Sequence, residues 1–302
     1  MFGRRTALVG VTALAAVAAL GACSSSTTSP TSGTPALSAS QADTVAAVLT
    51  DDAEGLSDGA TATGSAGSGA SFSVARLPGS TPSFSTFLLC SPVRSPLPIV
   101  NSDADLVPDS VRVDFTGCLI NRPFVADSLA GTIDFIDPTP TVTDHQVKRV
   151  FTNFYVQKRR IVLGDTVSNL WNGTQTFSRD SSQAQFTETA FTLVHTFPNG
   201  TQATHVRTWS STFTADTAGT IQDDTPLPSG LRNITGNSTW TYGGRTWNFA
   251  VTTNPALHRN DTCTTVPLFD SGVMTVVATR PSETTTLTIT FTGCGTYTVA
   301  RS

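Results

Sequence analysis

Hydrophobic and polar positions alternate along much of the chain after about residue 80. Leu287, Ile289 and Phe291 alternate with Thr residues, which gives this segment one apolar face and one hydroxyl face. The segment around Val111 and Val113 alternates in the same way. A period of two predicts half-buried antiparallel strands. Further strands are predicted at 131–136, 151–156, 160–167, 191–197, 202–213, 239–242, 245–251 and 273–279.

Two turn signals join neighbouring strands into predicted hairpins. Asn199 and Gly200 form the strongest two-residue turn signal, and a Gly-Gly pair occupies 243–244. A two-residue turn at the second site pairs Trp240 with Trp247. We therefore predict an all-β fold, an antiparallel meander of about 10–12 strands forming a curled open sheet, sandwich or partial barrel. No segment is long enough for a crossover helix.

One short helix is predicted before the strands. Ser38 and Gln41 form a capping box, and the apolar residues at 45, 48 and 49 share one helical face. The helix is expected from about Ala39 to Asp52. A Gly- and Ser-rich run over 55–69 ends it; this run lacks the Gly-Lys-Ser/Thr ending of a phosphate loop and is interpreted as a linker. The helix and linker together span 38–80, and the β domain spans 81–302.

The N-terminus has the features of an export signal. Arg4 and Arg5 precede an apolar stretch of about 14 residues, which is too short to span a bilayer. The stretch ends in Leu20-Gly21-Ala22-Cys23, which resembles a bacterial lipobox, where the signal is cut before the Cys and the Cys is lipidated. We predict a signal peptide over 1–22, lipidation of Cys23 and a disordered Ser/Thr/Pro tether over 23–37. An ordinary secretory signal is the alternative.

This signal predicts a protein of the bacterial cell envelope, attached to the membrane through its lipidated N-terminus and facing away from the cytoplasm. Ser24, in place of Asp, favours the outer membrane if the organism has one.

Only 13% of the residues are charged and the formal net charge is −4. Nucleic-acid binders carry a basic surplus, so a nucleic-acid partner is excluded. Roughly one residue in six is Thr, which supplies the polar surface instead.

Four further cysteines form two similar units. Cys90 lies 28 positions before Cys118, and Cys263 lies 31 positions before Cys294. Cys118 and Cys294 each end an identical Phe-Thr-Gly-Cys strand segment. Of the three possible connectivities, this repeat favours the disulfides Cys90–Cys118 and Cys263–Cys294. A site in which the four thiolates bind a metal is disfavoured because short Cys-x2-Cys pairs are missing.

The run Asp114-Phe115-Thr116-Gly117-Cys118, followed by Ala130-Gly131-Thr132-Ile133, resembles a type of uncharacterised bacterial envelope lipoprotein. In that type, an Ile-Thr-Gly strand and a Cys-containing hairpin follow, as at 234–236 and 263–294 here. An acidic residue commonly follows the last Cys of that type, whereas this chain has Gly295. The resemblance implies an exported all-β lipoprotein and no established activity.

Candidate chemistry is sparse. His195 and His205 flank the Asn199-Gly200 turn and are weak metal candidates. A three-residue loop over 199–201 would pair them directly across the two strands, where they could share a metal. The favoured two-residue turn instead places the two imidazoles on different faces of the hairpin. Evenly spaced carboxylates at 103, 105 and 109 favour a plain acidic loop over a calcium loop, since the Gly and terminal Glu are missing. We predict no catalytic residues, no cofactor and no metal. A non-catalytic binding or structural module is favoured; an envelope hydrolase or carbohydrate-active enzyme is the alternative.

Overall fold

A computed structural model describes residues 37–59, 92–105, 107–122, 125–160, 164–222 and 226–302. The predicted signal peptide, nearly all of the tether, residues 60–80 of the predicted linker, Cys23 and Cys90 lie outside the described residues. Predictions that concern them stay predictions. The start of the predicted Gly-rich linker, 55–59, is helical, so that part of the prediction is wrong.

The described part contains one helix, α1, over Ala39–Gly59, and fourteen strands. The strands are β1 Val93–Ser95, β2 Ser110–Asp114, β3 Cys118–Arg122, β4 Val125–Ile136, β5 Val147–Arg160, β6 Asp165–Arg179, β7 Gln183–Thr196, β8 Gln202–Ala215, β9 Gly230–Tyr242, β10 Arg245–Thr253, β11 Leu257–Arg259, β12 Phe269–Arg280, β13 Glu283–Gly293 and β14 Thr296–Arg301.

All the strands belong to one antiparallel sheet that follows chain order, so the predicted meander is confirmed. β3 and β11 lie off the main path, where β3 pairs with β4 and β11 with β9 and β12. The sheet is open, with β1 and β14 at its two edges. Alternation decides which face is buried: Leu287, Ile289 and Phe291 are at most 3% exposed, and the intervening Thr side chains are more exposed.

Some strand boundaries differ from the predicted ones. The predicted strand over 160–167 is wrong, because β5 ends at Arg160 and β6 begins at Asp165, so this range covers the connection between them. The pairing of Trp240 with Trp247 across the Gly243-Gly244 turn is confirmed. The strand count exceeds the predicted 10–12, since the short strands β1 and β11 have too few residues to show a period of two.

Helix α1 begins as predicted and packs on the sheet. The Ser38 N–H donates to Gln41 Oε1 at 2.8 Å, and the Gln41 N–H donates to Ser38 Oγ at 3.3 Å, which completes the capping box. The helix runs seven residues beyond the predicted end. Val45 and Leu49 are fully buried in a core that includes residues of β5 to β14, which we call the main core. The helix is therefore part of the folded domain.

A second apolar cluster lies toward the β1–β2 end of the sheet and includes Phe115, Phe151, Phe154 and Trp171. Through this cluster, β4 to β7 carry register shifts at neighbouring positions. In this line of bulges, Gly173 has φ +120°. A Cβ at Gly173 would lie 2.7 Å from the carbonyl oxygen of Ala190 in the next strand. Bulges bend strands and increase their twist, so this line of bulges is expected to curve the sheet at the second cluster.

The predicted disulfide Cys263–Cys294 is present, with Cα atoms 5.4 Å apart. Cys294 directly follows β13, and its exposed side chain puts this bridge at the end of the sheet. Cys118 is buried at 2% exposure and is also disulfide-bonded. Its predicted partner Cys90 lies outside the described residues. The two Phe-Thr-Gly-Cys segments therefore end in different environments.

Candidate functional site

The predicted histidine pair lies in the β7–β8 hairpin, but its register differs from both predicted alternatives. His195 pairs with Ala203, and Leu193 pairs with His205. The imidazoles lie on the same face in diagonal positions, so the preferred prediction of opposite faces is wrong. The turn holds residues 198–200, because Asn199 Oδ1 accepts hydrogen bonds from the N–H and hydroxyl of Thr201.

Each of the two histidines contacts a different neighbour. His195 Nδ1 lies 2.7 Å from Asn169 Oδ1, and burial lowers the pKa of His195 to about 4. His205 packs edge-on against Trp240 with ring centroids 4.7 Å apart. Burial, and then the Arg207 charge, lower the pKa of His205 well below its usual range. Both rings are therefore neutral at neutral pH and act as packed core side chains.

A buried ion network joins helix α1 to the sheet. Arg207 Nη1 donates to Asp52 Oδ1 on the helix at 2.5 Å. Arg207 Nη2 donates to Glu188 Oε1 at 2.9 Å, and Arg207 Nε lies 2.9 Å from Glu188 Oε2. Gln175 Nε2 donates to the same Oε1 at 2.9 Å. We call Asp52, Gln175, Glu188 and Arg207 the helix–sheet network.

The helix–sheet network is almost fully removed from solvent: the side chains of Arg207 and Glu188 are 3% and 0% exposed. The guanidinium lies over the rings of Phe191 and Trp209, with its carbon 5.4 and 5.9 Å from their centroids. Burial raises the pKa of Glu188 and of Asp52, and Arg207 opposes both shifts. The charges of Arg207, Asp52 and Glu188 are paired with one another beneath the helix, so their role is structural: they attach α1 to β7 and β8.

His258 on β11 bridges two carboxylates. Its Nδ1 lies 2.7 Å from Asp270 Oδ1, and its Nε2 lies 2.9 Å from Asp216 Oδ2. The hydrogen bond with Asp216 raises the pKa of His258 against the opposing effect of burial, and Asp270 raises it further. With both nitrogens facing carboxylates, the protonated ring can donate a hydrogen bond to each of them, and in that form it has no lone pair for a general base.

This bridge predicts a pH-dependent contribution to stability. Because folding raises the pKa of His258, the contribution is complete below the unfolded pKa of about 6.5 and is lost as the pH rises through the folded pKa. We expect His258→Gln to cost about 0.5 kcal/mol at acidic pH, a value reduced for partial solvation, and less above the folded pKa. Urea denaturation across this pH range measures it.

His195→Gln is the matched control with the opposite sign: because folding lowers the pKa of His195 to about 4, the unfolded chain takes up a proton below about pH 6.5 that the native state does not, so the cost of His195→Gln should fall on acidification. A cost of His258→Gln that stays constant or grows with pH would contradict the charged bridge.

A third polar cluster joins two loops at one end of the sheet. One carboxylate oxygen each from Asp103, Asp105 and Asp137 lie within 4.8 Å of one another. We call these three residues the carboxylate cluster. The plain acidic loop predicted from the sequence included Asp103 and Asp105 but not Asp137. Burial raises the pKa of Asp105, and the charges of Asp103 and Asp137 raise it further.

Asp109, the third residue of that predicted loop, does not join the cluster. Its two oxygens accept hydrogen bonds from the N–H and hydroxyl of Ser102 at 2.7 and 2.6 Å. The predicted loop is thus split, with Asp109 closing the loop and the other two carboxylates facing Asp137.

All four tryptophans are buried, at 4% exposure or less. Trp209, Trp240 and Trp247 belong to the main core, and Trp171 belongs to the second cluster. None of these side chains offers the exposed flat surface on which a sugar ring stacks.

Within the described residues, no helix is long and apolar enough to cross a membrane. Compared with known proteins, the chain matches no family model, no curated protein and no solved structure.

Proposed function

We propose that this chain is a lipid-anchored protein of the bacterial cell envelope whose β domain is a non-catalytic binding or structural module. The anchor is inferred from the lipobox-like Leu20-Gly21-Ala22-Cys23 and the apolar stretch before it. A tether between Cys23 and helix α1 would hold the domain away from the membrane surface. The resemblance to envelope lipoproteins with Gly-Cys strand ends supports the same proposal.

The observation that carries the non-catalytic proposal is the engagement of the buried arginine and of the histidine that face carboxylates. Arg207 and its carboxylates are closed beneath α1, and His258 faces a carboxylate with each nitrogen. A general acid or base must reach a substrate proton, which these groups cannot do while so engaged. An envelope hydrolase or carbohydrate-active enzyme stays the alternative, and it requires an acid or base whose loss abolishes turnover without changing stability.

The anchor is tested by Cys23→Ala in a bacterium that expresses the full chain. Wild-type protein is expected to incorporate labelled fatty acid and to enter the detergent phase on extraction, since two or three acyl chains give stable membrane attachment. Cys23→Ala is expected to lose the label completely. Ser24→Ala, beside the modified residue, is the matched control and keeps the label. Label persisting in Cys23→Ala would exclude this anchor.

A further inference from the structure

The carboxylate cluster lies where the loop before β2 meets the loop after β4. Ser110, the first residue of β2, pairs with Ile136, the last residue of β4. The loop that leads into β2 and the loop that follows β4 are therefore neighbours. The Asp137 N–H donates to the Asp109 carbonyl at 3.1 Å. The loops are also joined by the Thr143 hydroxyl, which donates to a backbone carbonyl at 103. The backbone therefore brings the carboxylates together.

One oxygen of each carboxylate is committed to its own loop. In every case the Oδ1 atom accepts a backbone N–H from two residues further along the chain, which fixes the side-chain orientation. The pairs are Asp103 with Asp105 at 3.2 Å, Asp105 with Val107 at 2.7 Å, and Asp137 with Thr139 at 2.8 Å.

The other oxygen of each carboxylate is buried and has no hydrogen-bond partner. This holds for Oδ2 of Asp103, Asp105 and Asp137 alike. Asp105 and Asp137 are only 1% and 3% exposed, so solvent does not compensate these oxygens. A buried carboxylate oxygen without a partner is unfavourable, and the three carboxylates repel one another. A cation among them removes both costs.

We propose that Asp103, Asp105 and Asp137 bind a calcium ion. Oxygen donors alone select a hard cation, and Ca²⁺ binds oxygens at about 2.3–2.6 Å, so two ligands of one ion lie up to about 5 Å apart. The three oxygens lie within 4.8 Å of one another, close enough to share one such ion. Mg²⁺ demands near-ideal octahedral geometry at about 2.0–2.1 Å and gives up its waters reluctantly, so a set of three protein carboxylates suits it less. Flexible coordination also suits Ca²⁺, with water completing the shell.

The ion would cross-link the loop before β2 to the loop after β4 and so fix the β1–β2 end of the sheet. Calcium sites of extracellular modules have Kd values of about 0.1–1 mM. The expectation that this site has such an affinity rests on the proposed export of the chain, whereas the existence of the site rests on the cluster alone.

The test is calcium titration of the full-length chain in detergent, by calorimetry and by thermal unfolding. The wild type is expected to bind one Ca²⁺ per chain, and saturating Ca²⁺ is expected to raise Tm by about 5 °C. Asp137→Asn is expected to weaken binding tenfold or more. This variant keeps the size and the Oδ1 contact of Asp137 and removes one of three repelling charges, so without calcium its Tm should equal or exceed that of the wild type.

Asp134→Asn is the matched control: this carboxylate lies three residues earlier, is paired with Arg112, and lies outside the cluster. It should respond to calcium as the wild type does. No calcium binding by the wild type, an equal response of Asp137→Asn, or equal affinity for Mg²⁺ would overturn the proposal. A wild type whose Tm is unchanged by calcium but rises on acidification would show that a shared proton holds the cluster instead. The test is independent of the lipid anchor, so either can fail without the other.

Discussion

Replacing Arg207 with Met is expected to lower the free energy of unfolding by about 3–5 kcal/mol. The substitution keeps much of the apolar contact with Phe191 and Trp209 but leaves Asp52 and Glu188 without their cation. Removing one member of a buried ion pair is costly because the remaining charge is desolvated and uncompensated. Chemical denaturation of the wild type and the variant measures the loss.

Two further variants separate charge from packing. Arg112→Met breaks a bidentate bridge with Asp134 in which the arginine side chain is 60% exposed, so it should cost far less. Combining Arg207→Met with Asp52→Asn and Glu188→Gln removes the uncompensated charges and should restore a large part of the stability. An Arg207→Met variant as stable as the wild type would contradict the helix–sheet network as the attachment of α1.

Gly173→Ala is expected to lower the free energy of unfolding by about 3 kcal/mol or more. Two effects add. The φ of +120° is strained for an L residue, and the new Cβ would lie 2.7 Å from both the Ala190 carbonyl oxygen and the Phe191 Cα. Both of these atoms belong to the backbone of β7, so the new Cβ can be accommodated only if β6 and β7 move apart along the line of bulges.

Gly219→Ala carries the first effect, backbone strain, without the second. Gly219 also has a positive φ, +83°, but a Cβ there has nothing within 4 Å. We expect it to cost about 1 kcal/mol, from backbone strain alone. Denaturation of both variants under identical conditions gives the difference. Equal losses would mean that close approach at the bulge contributes nothing.

Much of the fold was predictable because strand alternation is a local property. The alternation at Leu287, Ile289 and Phe291 directly predicts one buried face. The Gly-Gly turn predicts the register that pairs Trp240 with Trp247. The start of α1 was predictable for the same reason, since Ser38 and Gln41 cap each other locally. Its end was not, because the Gly and Ser residues after Asp52 are poor helix formers and tertiary packing decides how far the helix extends.

Features set by contacts distant in sequence were missed. The β7–β8 register depends on whether the turn has two or three residues, and a shift of one position reverses the relative faces of His195 and His205. Asp137 joined the carboxylate cluster through the pairing of β2 with β4, which the sequence between them does not show. Such juxtapositions follow from topology and register together.

The helix–sheet network did leave a signal in the sequence. Arg207 occupies the same strand face as the buried Trp209 and Phe213, and Asp52 continues the helical stripe of Val45 and Leu49. A charged residue at an apolar position needs a buried partner of opposite charge. The pattern could therefore have indicated an arginine and a carboxylate that pair in the core, although only the fold identifies which ones meet.

The central claim, a lipid-anchored envelope protein, is tested most directly by the intact mass of the chain extracted from membranes of cells that express it. The predicted result is a mature chain that begins at Cys23 and carries diacylglycerol, with acylation of its new amine. An unmodified chain, or one that begins at a residue other than Cys23, would contradict the account.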